Sequence, residues 1–174
     1  MTRQIWNKTF EVTMMFEGNY QCMYSDRGNW TSGKVGEGEL KGTKFGISAM
    51  SYPNLDIKNL SYERAQEIYQ KDYWERCKCD FIPDALSMAV FDFAVNSGTK
   101  TSIKYLQKAL DVKADGIIGN QTIGACNRIP TKGVLEKYIQ YRLEYLRSLK
   151  TWDKFGSGWG RRVNLIKKIC EEYL

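Results

Sequence analysis

Between Pro83-Asp84 and Gly98 the chain runs ALSMAVFDFAVNS, and nine of the twelve residues from 85 to 96 are apolar. Proline and aspartate are favoured in the first turn of a helix, so a helix is expected to open here. Ala85, Leu86, Met88, Ala89, Val90, Phe91, Phe93, Ala94 and Val95 leave no polar face on it. A helix that is hydrophobic all round must be enclosed by other elements. The chain has 174 residues, and one of that size buries roughly 70% of its unfolded surface, enough to enclose such a helix without staples. Asp92 and Asn96, four residues apart, share one face; they either brace a neighbouring loop or front a cleft.

The surrounding segments have the periodicity of helices. Residues 4–16 carry Ile5, Trp6, Phe10, Val12, Met14, Met15 and Phe16, which predicts an amphipathic helix ending near Glu17, with Gly18 as its stop. Ser61 with Glu63 signals the start of another helix. Helices are also expected over 100–110, around Thr122 to Cys126, and from Pro130-Thr131 onward, the last being the longest. FGSGWGRR at 155–162 is expected to be a loop holding Trp159 and followed by a final helix. The stretch 18–48 has seven glycines and no strong periodicity, so loops and a short hairpin are expected there. The sum is a mostly α protein of six or seven helices in one compact unit spanning 1–174, without repeats or linkers.

Histidine is absent, which excludes Ser-His-Asp and Cys-His nucleophile systems and imidazole-ligated zinc. Acid–base chemistry must then come from carboxylates, lysine, tyrosine or cysteine. Cys22, Cys77, Cys79, Cys126 and Cys170 are odd in number and irregular in spacing, which predicts buried or half-buried free thiols and no metal site. No cofactor is expected. The formal charge of +6 suits an anionic partner, but no Lys/Arg run of nucleic-acid type appears. The N-terminus lacks the apolar core of a signal peptide, and no segment approaches the ~20 apolar residues that span a bilayer. The expectation is a soluble chain made in the cytoplasm, without stable membrane insertion, and monomeric.

The carboxylates that stand out are Glu17, which follows Met14-Met15-Phe16, and Asp26, within YSDRGN. Burial would favour the neutral acid at Glu17, while hydrogen bonds and Arg27 would keep Asp26 ionised. Two carboxyl groups in environments that push them apart are what glycoside hydrolysis needs. The other reading is a helix end followed by an Asp turn. Tyr20, Tyr24, Asn29 and Trp30 lie close by in sequence, and aromatic rings with amides are the usual lining of a sugar cleft; core packing is the alternative for each ring.

Phe16-Glu17-Gly18-Asn19-Tyr20, Asp26-Arg27-Gly28 and Thr43-Lys44-Phe45-Gly46-Ile47-Ser48 resemble, in order, the E-G-G-Y, D-x-G-G and T-x-x-G-I-T motifs of glycoside hydrolase family 108. Asp92 to Gly98, Leu106-Gln107, Asp115 to Gly119 and Gly158-Trp159 with Arg162 are similar to the peptidoglycan-binding region paired with that family. Asn19 stands where the motif has its second glycine, and asparagine enters positive φ more readily than most residues. A longer segment, Trp30 to Gly42, separates the Asp turn from Thr43.

The resemblance implies a lysozyme-like helical fold with a hydrolase part over 1–96 and a peptidoglycan-binding-like helical part over 97–174. It implies an N-acetylmuramidase, of the kind found among phage endolysins and secretion-assisting wall proteins, acting on peptidoglycan glycan strands. Glu17 would be the catalytic acid, Asp26 its partner, and Thr43 the residue that helps hold the attacking water, with Thr31 as competitor. Tyr20, Asn29, Trp30 and Asn96 are the candidates for sugar contact. Such a protein would reach the wall after release, or after export by another system. Two alternatives remain: a lytic transglycosylase, and a non-catalytic wall-binding or secretion-assisting module.

Overall fold

The computed structural model describes residues 3–174, and its architecture is the mostly α, lysozyme-like one expected. Among the described residues there are seven α-helices and one two-stranded sheet: α1 (Arg3–Met14), β1 (Thr43–Lys44), β2 (Ile47–Ser48), α2 (Tyr62–Tyr69), α3 (Asp84–Ser97), α4 (Thr99–Ala109), α5 (Asn120–Arg128), α6 (Thr131–Ser148) and α7 (Trp152–Glu171). The chain divides into two compact units, Met1–Thr9 with Gln70–Leu174, and Phe10–Tyr69.

In the first unit the apolar helix is central. α3 packs against α4, α6 and α7, and every residue from Ala85 to Ala94 is buried. Trp6, Trp74 and Phe91 cluster with ring centroids 5.2 to 5.8 Å apart. Ser102 donates to the Val90 carbonyl at 2.7 Å, which leaves its oxygen to accept from the buried Tyr138 hydroxyl, also at 2.7 Å. Gln107, 1% exposed, ties down the connector after α4 by donating to Asp115 Oδ1 and accepting from Gly116 N.

Asp92 does not front a cleft. It is wholly buried and accepts from Arg142 at 2.7 Å and from Arg162 at 3.0 Å, pinning α3 to α6 and α7. Burial pushes the Asp92 carboxyl up, but the Arg162 and Arg142 guanidiniums together outweigh it and hold it below the usual carboxylate range. Asn96, one turn further on, is half-buried and accepts from Ser97 Oγ at 3.2 Å.

Two boundaries depart from the pattern. FGSGWGRR is not a loop; it lies inside α7, which at 20 residues exceeds the 18 of α6. Glycine in a helix interior costs about 1 kcal/mol, but Val163, Ile166 and Cys170 are buried and Arg162 is fastened to Asp92. Packing therefore overrides propensity. Gly156 is required by close approach, since a Cβ there would stand 2.5 Å from the Trp152 ring. Secondly, α1 ends at Met14, before Glu17. Phe16 N and Glu17 N bond to the carbonyls three residues back, at 3.0 and 3.2 Å, so the chain tightens out of the helix as helix ends commonly do.

The second unit has its core in Phe10, Val12, Trp30, Ile47, Ala49, Ile57, Leu60, Ala65, Ile68 and Tyr69. Ser61 caps α2, its Oγ accepting from Arg64 N at 3.1 Å. The hairpin expected within 18–48 is β1–β2, with Thr43 opposite Ser48 and Lys44 opposite Ile47. Its two-residue turn, Phe45-Gly46, has φ of 52° and 73°, the signature of a type I′ turn. The cysteines are free as expected: Cys22 is half-buried and the other four are buried. Burial pushes the thiols of Cys126 and Cys170 up to about 12, which rules these two out as nucleophiles at neutral pH.

Candidate active site

Glu17, Asp26 and Thr43 all belong to the second unit, and the hairpin connects them. Gln21 pairs with Thr43 through two backbone hydrogen bonds of 2.9 Å. Gly18 O accepts from Phe45 N, also at 2.9 Å. The segment that carries Glu17 is thus laced along β1 and up to its turn.

The half-buried Glu17 carboxyl lies against the tip of that turn. A Cβ added to Gly46 would stand 2.6 Å from Glu17 Oε2 and 2.5 Å from the Tyr69 hydroxyl. Glycine is needed at 46 for its positive φ and for the room it leaves these two oxygens. Phe45, a bulky residue at φ 52°, is a genuine outlier. It persists because its N–H bonds Gly18, its carbonyl accepts from Tyr69 Oη at 2.8 Å, and its ring meets Tyr62 edge-on at 5.8 Å. Such strain, held by its surroundings, concentrates at functional sites. Gly46→Ala should lower stability by about 1–3 kcal/mol and reduce activity as the carboxyl is pushed off its seat. Chemical denaturation and an activity assay on the same preparation check both.

Asp26 ends a network of amides. Its Oδ1 accepts from Gly28 N at 2.9 Å, capping the short helical turn Arg27–Asn29, and its Oδ2 accepts from Gln21 Nε2 at 3.0 Å. Gln21 Nε2 also reaches Asn29 Oδ1 at 3.1 Å, and Asn29 Nδ2 returns to Gln21 Oε1 at 2.8 Å. The Thr43 hydroxyl donates to the same Asn29 Oδ1 at 2.8 Å. Asp26, Gln21, Asn29 and Thr43 therefore form one connected set. Thr31 is not part of it; its hydroxyl accepts from Glu39 N at 2.9 Å.

The longer segment from Trp30 to Gly42 folds back on itself. Trp30 and Leu40 form a bridge, and Lys41 N and Gly42 N both donate to the Asn29 carbonyl, at 2.9 and 3.1 Å. Its ends meet, so the added residues do not separate Thr43 from the Asp26 turn. Asn19 is not among the positive-φ residues, so its backbone makes no demand for glycine.

The expected sugar contacts divide. Asn29 is 0% exposed, with both amide atoms engaged inside the network, and Trp30 is 7% exposed, its Nε1 donating to Tyr24 O at 2.8 Å. Both brace the loop and offer almost no surface to a ligand. Tyr20 is exposed and lines a groove of about 370 Å³ with Leu40, Lys41, Asn54, Asp56 and Ile57. Hydrogen bonding with Cys22, and then burial, pushes its phenol above the ordinary value. Tyr24 stands edge-on to Trp30 at 5.0 Å and is 62% exposed. Asn96 belongs to the first unit and is not part of this network.

Sequence reasoning missed Gln21 and Tyr69. Gln21 sits five residues before Asp26, within reach of a local reading, but Tyr69 is 24 residues from the carbonyl it holds, and spacing carries no sign of that. No group of His, Cys, Asp and Glu suited to a metal occurs among the described residues.

One carboxyl seated on a glycine turn and a second carboxylate fixed by amide donors, both tied to the same hairpin, are the two groups glycoside hydrolysis calls for. The chain belongs to the glycosyl hydrolase 108 family, whose pattern matches residues 10–98. Among solved structures it is similar to one described as the structure of Brucella abortus SagA, with a TM-score of 0.81 and 26% identity, covering 99% of this chain and 97% of that one. No curated protein matches it.

Proposed function

We propose that the protein is an N-acetylmuramidase, hydrolysing the β-1,4 bond between N-acetylmuramic acid and N-acetylglucosamine in peptidoglycan. The observation that carries this reading is that one hairpin holds both parts, Glu17 lying against its Gly46 turn and its Thr43 joining Asn29, Gln21 and Asp26 in one hydrogen-bonded set. Glu17 protonates the leaving oxygen. Asp26, which accepts two hydrogen bonds and has lone pairs to spare, orients the water or stabilises the developing positive charge. Thr43 has committed its proton to Asn29, so its lone pairs accept from the attacking water. Asn29 acts as a positioning residue. Tyr20 and Tyr24, both exposed, offer rings to the glycan.

Helices α4 to α7 serve as the wall-binding part, drawing the basic chain to its anionic substrate. The protein acts on the wall after release or export. No helix among the described residues is long and apolar enough to cross a membrane.

Mass spectrometry of the muropeptides released from purified walls tests the reaction. Products with hydrated N-acetylmuramic acid reducing ends are expected. Products one water lighter would mean a lytic transglycosylase, and binding to walls without new reducing ends would mean a non-catalytic module. The Thr43–Asn29–Asp26 connection favours hydrolysis, because a transglycosylase has no water to hold.

A further inference from the structure

Tyr69 closes α2 and is 3% exposed, its ring packed 5.7 Å from Phe10. Its hydroxyl lies beside two acceptors. One is the Phe45 carbonyl at 2.8 Å. The other is Glu17: Tyr69 Oη and Glu17 Oε2 stand 2.5 and 2.6 Å from the same point, the position a Cβ would take on Gly46, so the two oxygens lie no more than about 5 Å apart. A phenol has one proton and can also accept. While that proton is given to Phe45 O, the phenol oxygen can receive a hydrogen bond from a protonated carboxyl but has nothing to offer a carboxylate. Once Glu17 has given its proton to a leaving oxygen, the hydroxyl can rotate from Phe45 O to the new carboxylate.

We propose that Tyr69 is the positioning residue of Glu17, a hydroxyl with two stations that complements the carboxyl before and after proton transfer. The inference rests on the reading of Glu17 as the acid. The proton balance is simple: one proton passes from Glu17 to the glycosidic oxygen, and Tyr69 keeps its own. The left-handed turn at Phe45-Gly46 acquires a purpose, because it presents a backbone carbonyl to Tyr69 and an open surface to Glu17 at one place.

The test is Tyr69→Phe, which keeps the buried ring and removes the oxygen. With peptide-stripped glycan strands as substrate and reducing ends as readout, kcat should fall about 10- to 100-fold, the worth of one hydrogen bond to a group that becomes charged. KM should stay within about twofold, because the loss falls on the reacting state rather than on binding. Unchanged kcat, or a rise in KM alone, overturns the proposal. Glu17→Gln measured alongside separates the two ideas: if it turns over like wild type, the acid assignment fails, whereas an inactive Glu17→Gln with an unimpaired Tyr69→Phe removes only the role of Tyr69. Should Tyr69→Phe not fold, 3-fluorotyrosine at position 69 decides. It retains the hydroxyl but makes it a weaker acceptor for the protonated carboxyl and a stronger donor to the carboxylate, so kcat should rise a few-fold, and an unaltered or lowered kcat counts against the proposal.

Discussion

Glu17→Gln is expected to lower cell-wall lysis by about 10²- to 10⁴-fold, the usual share of a positioned proton donor. The substitution keeps the size and planarity of the side chain, so the seat on Gly46 and the neighbouring Tyr69 hydroxyl stay filled. An amide can donate a hydrogen bond to the leaving oxygen but cannot transfer a proton, and only the second act lowers the barrier. Because binding is left alone, the variant should still sediment with insoluble peptidoglycan. A thermal midpoint like that of wild type would show that the loss is chemical. Full lysis by a folded Glu17→Gln protein would reject the assignment and return the chain to a wall-binding role. The companion change at Thr31, whose hydroxyl is bonded within its own loop, should leave lysis within a few-fold of wild type, in contrast to Thr43.

The helical part of the fold was legible because its signals are local. A proline or serine at a helix start and apolar residues at spacings of three and four are read within one element, and they placed α2, α3 and α6 close to where they lie. The final helix was expected after Arg162, but the first half of α7 was not legible, because three glycines outweigh an aromatic series in any local reading. What holds that helix is the burial of Val163, Ile166 and Cys170 and the Arg162–Asp92 pair, which spans 70 residues. The candidate site divides the same way. Glu17 and Asp26 stood out by chemical type and neighbours. Asn29, an amide in a glycine-rich loop, reads as surface although it is wholly enclosed, because its four partners are supplied by Gln21, Met23 and Thr43. The seat of Glu17 is made by a turn and by a tyrosine far along the chain, and a window of a dozen residues cannot contain them together.

Asp92→Asn should destabilise the protein by about 3–5 kcal/mol, because removing one partner of a buried ion pair leaves uncompensated charge behind. Here two guanidiniums depend on the one carboxylate. Arg142 is 0% exposed and Arg162 7%, and Nε and Nη1 of Arg142 find no hydrogen-bond partner among the described residues. The Phe93 ring, 5.0 Å from the Arg142 guanidinium carbon, offsets only part of that loss. For a chain of this length a kcal/mol is worth about 2–4 °C in melting temperature, so calorimetry should record a fall of roughly 6–20 °C. Acidity gives a second signature. The Asp92 carboxyl is held below its ordinary value in the folded state, so its contribution is present above the unfolded value of about 3.9 and is lost as pH falls through the lower folded value. The wild-type stability curve should therefore drop below about pH 4 by more than that of Asp92→Asn, which has no charge there to lose. Replacing Asp92, Arg142 and Arg162 together by apolar residues of similar volume should recover much of the stability, because exchanging a buried ion network for packing is often neutral or favourable. If Asp92→Asn melts like wild type and the two acid limbs superpose, the ion network does not fasten α3 to α6 and α7.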